Sequence, residues 1–400
     1  IALRIMTDSK SKGVLQRLTG GALSSSESGG SIFKRGIAAL AENPEAEACF
    51  QRARAAYKAH NLSEAVLWFR KAADQGHAWG QTSLGICYEV GEGITRDRAQ
   101  ALLWYRKAAD QGHAEAQYRL GLRYSLGIGV EQDHAQAVLW YRKAADQGHA
   151  EAQHDLGFCY EMGEGITRDR AQALLWYRKA ADQGHAEAQN FLGTCYERGG
   201  RVTRDHAQAV LWYRRAADQG HAEAQNNLGH CYRNGRGVTR DHIQAVQWFR
   251  KAAEQGNATA QYYLGGFYTI GIGVEQDRAQ ALLWFRKAAD QGYAAAQTQL
   301  GLCYEGGNGV MQDYVRAMLW YRKAAEQGDF GAQYCVGACY ARGRGVTQDS
   351  AEAVTWFRKA ADQGYAEAQY RLGVCYANRQ GVTRDDAQAA MWYRKAAEQG

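Results

Sequence analysis

The chain has 400 residues, 46 glycines, one proline (Pro44) and a formal charge of +6, which suits two or three ordinary domains or one repeat array. Its first 44 residues hold six basic and three acidic groups, about half the excess, and no basic stripe continues beyond them, so the electrostatic signature of a nucleic-acid binder is weak. No run of about 18 apolar residues occurs, which excludes a membrane-spanning helix.

In chain order, Ile1–Leu18 shows no strong pattern and Gly20–Ser31 reads as a Ser/Gly linker, so residues 1–44 are expected to be poorly ordered. The chain opens with Ile1 rather than Met and stops at Gly400, where a repeat ends. A fragment of a longer protein is expected; no signal peptide is visible, but an upstream export signal stays open. Residues 45–76 read as a shorter, atypical first hairpin, with Asn61 and Glu64 in capping positions. Nine full repeats follow over residues 77–400. Trp68, Trp104, Trp140, Trp176, Trp212, Trp248, Trp284, Trp320, Trp356 and Trp392 stand 36 residues apart without a slip, and Arg96–Gln117 recurs letter for letter as Arg168–Gln189. Fixed self-similarity of this period marks a solenoid.

Each unit reads as two helices, because long stretches of Ala, Gln, Leu, Arg and Lys without proline leave the hydrogen-bond ladder intact. In the unit starting at Ala114, Gln117, Leu120, Gly121 and Tyr124 share one helical stripe. A G-x-G-V turn follows at Gly127, Gly129 and Val130. The second helix starts at Asp133, which with Gln136 suits a capping box, and buries Ala137, Trp140, Tyr141, Ala144 and Ala145 before Gly148 closes it. Gly121 and its equivalents let the paired helix approach closely. Helices of about 13 residues are marginal alone in water, and each buried large side chain contributes roughly 1.5–3 kcal/mol. A unit is therefore stable only in a stack.

The pattern L-G-x-x-Y (Leu120, Gly121, Tyr124) followed by A-x-x-x-Y-x-x-A (Ala137, Tyr141, Ala144) is similar to the tetratricopeptide pattern. The 36-residue period, the Q-G ending and W-Y-R-K-A-A-D-Q-G resemble the Sel-1-like repeat, a relative of that family. Arg201 and Arg379 each replace a turn glycine, so those two turns are expected to differ in shape. The resemblance implies an all-α fold, an α/α solenoid in a right-handed superhelix, acting as an adaptor or scaffold for other proteins. Members span bacterial host-interaction and signalling proteins and eukaryotic complexes that handle misfolded or secreted proteins.

Chemistry-bearing residues read as framework. Cys87, Cys159, Cys195, Cys231, Cys303, Cys339 and Cys375 share one register, and neighbouring repeats place equivalent points about 8–10 Å apart, beyond the reach of a disulfide at about 7 Å. Buried thiols are expected, which favours a cytoplasmic location. His77, His113, His149, His185 and His221 likewise form a ladder that cannot converge on one metal ion. No unit breaks rank to form a catalytic site, and the G-x-G turns lack the strand and third glycine of a dinucleotide site. No enzyme activity, metal or cofactor is expected, and Arg–Lys pairs such as Arg106–Lys107 read as a solvated face.

What varies between units points to a partner. The registers of Tyr118, Leu122 and Ser125 change from repeat to repeat. In related superhelices first helices line the concave groove, so Tyr118, Leu122, His154, Phe158, Glu161, Asn190, Glu197, Asn226, His230, Arg233 and Tyr262 are the candidate contacts for a peptide or protein segment, centred on Asn190, Asn226 and Tyr262. Asn can bond an extended backbone in both directions, and Tyr supplies contact area at low entropic cost. Plain exposure explains the same drift equally well. Two further readings stay open: an exported cell-wall or β-lactam-binding protein, as in a relative branch with paired cysteines that this chain lacks, or a regulatory module of a larger protein.

Overall fold

The structure, a computed structural model, describes residues 43–399; the Ser/Gly stretch and the segment before it lie outside those residues. Twenty helices and no strand are found among the described residues. They fall into two compact units that divide at Arg204 and Asp205. The first holds α1 (Pro44–Lys58), α2 (Leu62–Asp74), α3 (Ala78–Val90), α4 (Arg98–Asp110), α5 (Ala114–Leu126), α6 (His134–Asp146), α7 (Ala150–Met162), α8 (Arg170–Asp182) and α9 (Ala186–Arg198). The second holds α10 (His206–Asp218), α11 (Ala222–Asn234), α12 (His242–Glu254), α13 (Ala258–Ile270), α14 (Arg278–Asp290), α15 (Ala294–Gly306), α16 (Tyr314–Glu326), α17 (Phe330–Arg342), α18 (Ser350–Asp362), α19 (Ala366–Asn378) and α20 (Asp386–Ala397). Within each unit every first helix packs on its own second helix, and every second helix on the first helix of the next repeat. This is an α/α solenoid.

Aspartate begins the second helices. Asp97 Oδ1 accepts from the backbone N–H of Ala99 at 2.9 Å and of Gln100 at 3.0 Å. Asp133 does the same for Gln136 at 2.9 Å, but its own N–H donates to the Tyr124 carbonyl at 2.9 Å. The expected capping box is therefore only half a box, because the donor that Gln136 would serve is already satisfied. Histidine begins the first helices by an unusual route: the Nδ1 lone pairs of His77, His113 and His149 accept from the N–H of Gly80, Ala116 and Ala152 at 3.0, 3.4 and 3.2 Å.

Glycine sets the spacing within a repeat. A Cβ on Gly121 would stand 2.6 Å from the Tyr141 ring, so any side chain there would force the paired helices apart. The two turns in which arginine replaces one glycine differ from each other. Arg379 keeps the left-handed conformation at φ 59°, whereas ahead of Arg201 the chain is rebuilt, with Gly199 at φ 73° and ψ −163°.

Glutamine joins one repeat to the next. Gln117 Nε2 donates to the Ala109 carbonyl at 3.2 Å, capping the end of α4, and its Oε1 accepts from Gln147 Nε2 at 2.7 Å. The same pair recurs down each unit, for example Gln261 to Ala253 and Gln291 to Gln261. Buried amides left unpaired would be costly, which explains the Q-G ending of every repeat. The Arg–Lys pairs are less solvated than expected. Each of the ten indoles has a Lys, or Arg215, 3.8–4.5 Å above its ring. The arginine before that residue reaches the tyrosine of the next first helix in the nine repeats from Arg70 to Arg358, as Arg106 does Tyr124 at 2.6 Å. Seven of these ten indoles are buried; Trp68, Trp140 and Trp320 are half-buried.

Candidate interaction surface

The residues of the first variable register lie in the seam between repeats. In the first unit, the Tyr118 ring stacks on His149 at 4.8 Å and its hydroxyl donates to Asp155 Oδ2 at 3.2 Å. His154, 7% exposed, stacks on His185 at 4.6 Å, with Nδ1 2.8 Å from Asp155 Oδ1. Thr82 makes the equivalent contact with His113 at 2.9 Å, 31 residues on. In the second unit the same spacing joins Tyr262 to Tyr293 at 5.4 Å, Thr298 to Asp329 at 3.1 Å and Tyr334 to Tyr365 at 5.4 Å. Each variable residue therefore meets the helix-start residue of the next repeat, which stays His against Thr82, Tyr118 and His154 and becomes Tyr or Asp in the second unit. Asn190 is half-buried, while Asn226 is 3% exposed and its Oδ1 makes no hydrogen bond among the described residues.

The third register is coupled to the aromatic residue 16 positions on. Glu89 accepts from the Tyr105 hydroxyl at 2.5 Å, and Glu305 from that of Tyr321 at 2.7 Å. Where Glu or Ser stands at Glu89, Ser125, Glu161 and Glu305, the partner is Tyr105, Tyr141, Tyr177 or Tyr321; where Arg233, Thr269 and Ala341 stand, it is Phe249, Phe285 or Phe357. In two of these pairs, Tyr105 with Glu89 and Tyr321 with Glu305, the carboxylate receives the hydroxyl. The last repeat, Ala377 with Tyr393, departs from this.

The first unit adds an ionic cluster that sequence reasoning missed. Glu89 meets Arg119 at 3.4 Å and also pairs with Arg123; Arg119 meets Glu115 at 2.7 Å, and Glu115 meets His149 Nε2 at 2.9 Å. All three of Glu89, Arg119 and Arg123 are buried. Burial opposes ionisation of Glu89, but Arg123, Arg119 and the Tyr105 hydroxyl outweigh it and hold the carboxyl below its usual range. Burial pushes His113 down to about 4, against the pull of Glu115. One signal was available: Arg123 occupies the register that holds cysteine in most repeats. Glu161 likewise pairs with Arg201, the residue that replaced a turn glycine.

The remaining candidates keep part of their surface. Leu122, Phe158, Glu197, His230, Arg233 and Tyr262 are half-buried. His230 meets the Phe249 and Tyr263 rings edge-on at 5.1 and 4.5 Å, and the Arg233 guanidinium lies 4.4 Å over Tyr263. None of the nine cysteines forms a disulfide, and eight are buried; burial pushes the Cys87 thiol up to about 12. Among the described residues no group of three or more His, Cys, Asp and Glu is placed to hold a metal ion, and no helix is long and apolar enough to cross a membrane.

Repeated helix pairs, each packed on the next within its unit, define an α/α solenoid of the tetratricopeptide-like class. The Sel1 repeat family matches ten times, at residues 46–77, 80–113, 114–149, 150–185, 186–221, 222–257, 258–293, 294–329, 331–365 and 366–400, and the chain belongs to that family. It is similar to c5321, a protective antigen present in uropathogenic Escherichia coli strains: 38% identity over 91% of this chain and 86% of that one, TM-score 0.56. It is also similar to a Sel1 repeat protein from Oxalobacter formigenes, at 34% identity over 61% of this chain and 96% of that one, TM-score 0.56. A search of curated proteins returned no match.

Proposed function

We propose that the chain is a non-catalytic interaction scaffold that binds a peptide or protein segment through the variable registers of its first helices. One observation carries this reading. The framework side chains satisfy one another, glutamine with glutamine, arginine with tyrosine and lysine with tryptophan, whereas several variable positions keep open surface. Leu122 and Phe158 offer apolar surface in the first unit; His230, Arg233 and Tyr262 offer aromatic edges and a cation in the second. His154 and Asn226, at 7% and 3% exposed, have little surface to give and act mainly within the seam. Saturated frames with half-exposed aromatic and arginine residues suit partner binding, where such residues dominate affinity.

The test is capture of a partner from host-cell extract with the intact chain, followed by affinity measurement with Tyr262→Ala and with Leu122→Glu/Phe158→Glu. A loss of tenfold or more in at least one variant is expected. Unchanged affinity in both folded variants contradicts the reading. A second reading, a scaffold presented outside the cell, is favoured by the likeness to c5321, described as a protective antigen. Antibody labelling of intact against permeabilised host cells separates the two locations.

A further inference from the structure

Two cavities occupy the same register of the second unit, 72 residues or two repeats apart. The first, about 160 Å³, is lined by Thr269, Phe285, Leu302, Cys303 and Asn308. The second, about 140 Å³, is lined by the equivalent Ala341, Phe357, Val374, Cys375 and Gln380. Each has a buried aromatic floor, Phe285 or Phe357, and the second is walled mainly by polar side chains. Arg278 stands at the first rim and Arg342 and Arg371 at the second, and no Asp or Glu lines either one.

The repeat between them shows what such a space accepts. There Glu305 fills the position of Thr269 and Ala341, receiving the Tyr321 hydroxyl at 2.7 Å and Arg344 Nη1 at 3.0 Å. One repeat before the first cavity, Arg233 fills the same position and covers Tyr263. Self-filled and open positions thus alternate from Arg233 through Thr269 and Glu305 to Ala341. At Thr269 and Ala341 the partner ring is Phe, with no hydroxyl to satisfy.

We propose that these two cavities are paired sockets for one extended, acidic segment of a partner protein, each receiving an apolar side chain no larger than a benzene ring. This deepens the scaffold reading and rests on it, because Thr269, Ala341, Leu302 and Val374 belong to the variable registers. An apolar cavity of about 150 Å³ holds benzene, which sets the size of the group. The arginines at both rims, with no lining carboxylate, set the sign of the segment's charge. Neighbouring helices pack about 10 Å apart, so two repeats span roughly 20 Å, and a strand rising about 3.3 Å per residue covers that in about six residues. Residues six apart in a strand point to the same face, so one segment can fill both sockets.

The probe is a fluorescein-labelled peptide with two phenylalanines about six residues apart, each followed by glutamate, in a Ser/Thr background. Titrated with the intact chain, its anisotropy should saturate, and added salt should weaken binding. The triple change Thr269→Glu/Phe285→Tyr/Asn308→Arg copies the set that fills the intervening repeat and should weaken binding at least tenfold. The matching change Ala341→Glu/Phe357→Tyr/Gln380→Arg should do the same, and both together should abolish it. Leu302→Glu at the half-open rim adds a repelling charge without touching the core, and should also weaken binding if the triple variants fold poorly. A peptide with its phenylalanines an odd number of residues apart should bind at least tenfold less well. No saturable binding, or equal binding to native and filled chains, overturns the sockets. If the native partner still depends on Tyr262 in that case, the scaffold reading stands without them.

Discussion

The two units are built on one frame and close their seams in different ways. In the first, Glu89, Arg119, Arg123, Glu115 and His149 form a chain of charges through the interior. In the second, the same layer is aromatic: His230, Tyr263, Phe249, Tyr262 and Tyr293 meet ring to ring, and the next spaces remain open. Buried ions demand a complete set of partners, since each unpaired member keeps its desolvation cost. Rings demand only shape, and leave edges that another molecule can use. The first unit therefore reads as the more rigidly specified stack and the second as the more available surface.

Breaking the ionic seam gives the largest expected effect. Glu89→Ala strands the buried Arg123 guanidinium and the Tyr105 hydroxyl, while Arg119 keeps Glu115, and should cost about 3 kcal/mol, read by hydrogen exchange of α3–α5 in the intact chain. Glu305→Ala removes a partly exposed ion pair and leaves the buried Tyr321 hydroxyl without its acceptor, and should cost less, about 1–2 kcal/mol.

Acid should separate the units next. His113 titrates near 4 when folded, below its ordinary 6.5, because burial disfavours the imidazolium. The unfolded chain therefore binds the extra proton as pH falls below 6.5, and stability is lost between there and about 4. That amounts to about 2 kcal/mol at pH 5 relative to pH 7. His149 has the opposite sign: burial is outweighed by Glu115, its pKa is raised, and its contribution is fully present below 6.5 and is lost as pH rises from there through its folded pKa. Glu89 and Glu115, held low by their arginines, lose their contribution only below the usual carboxylate range. The second unit starts its later first helices with Asn257, Tyr293, Asp329 and Tyr365. Protection factors, which divide out the slower intrinsic exchange at pH 5, should fall from pH 7 to pH 5 in α5 far more than in α13, α15 or α17.

Glycine gives a finer comparison. Gly229→Ala places a Cβ 2.8 Å from the Phe249 ring and should cost about 1–3 kcal/mol. Gly157→Ala meets its nearest neighbours only at 3.2 Å and should cost less, as unfolding midpoints would show. Smallest is Lys179→Ala, which uncovers Trp176 and should cost about 0.5–1 kcal/mol.

Much of the frame was legible in the sequence because it repeats. The tryptophan spacing, the aspartate caps and the Gly121-type contacts each follow from one residue and its helical context. The variable registers were harder to read, since Tyr118 or Glu161 looks unassigned until its partner, His149 or Arg201, is brought alongside from another repeat. Spacing shows which face a residue occupies, but not which distant side chain meets it there. The exchange of Tyr for Phe in step with Glu for Thr or Ala was visible in the letters. It acquired a meaning only when Tyr321 was seen to reach Glu305.

The most direct measurement is a hydrogen-exchange footprint of a captured partner on the intact chain. Open seams in the second unit predict the strongest new protection over α13–α15 and α17–α19, with a smaller change around Leu122 and Phe158. Protection confined to α3–α7 would contradict it.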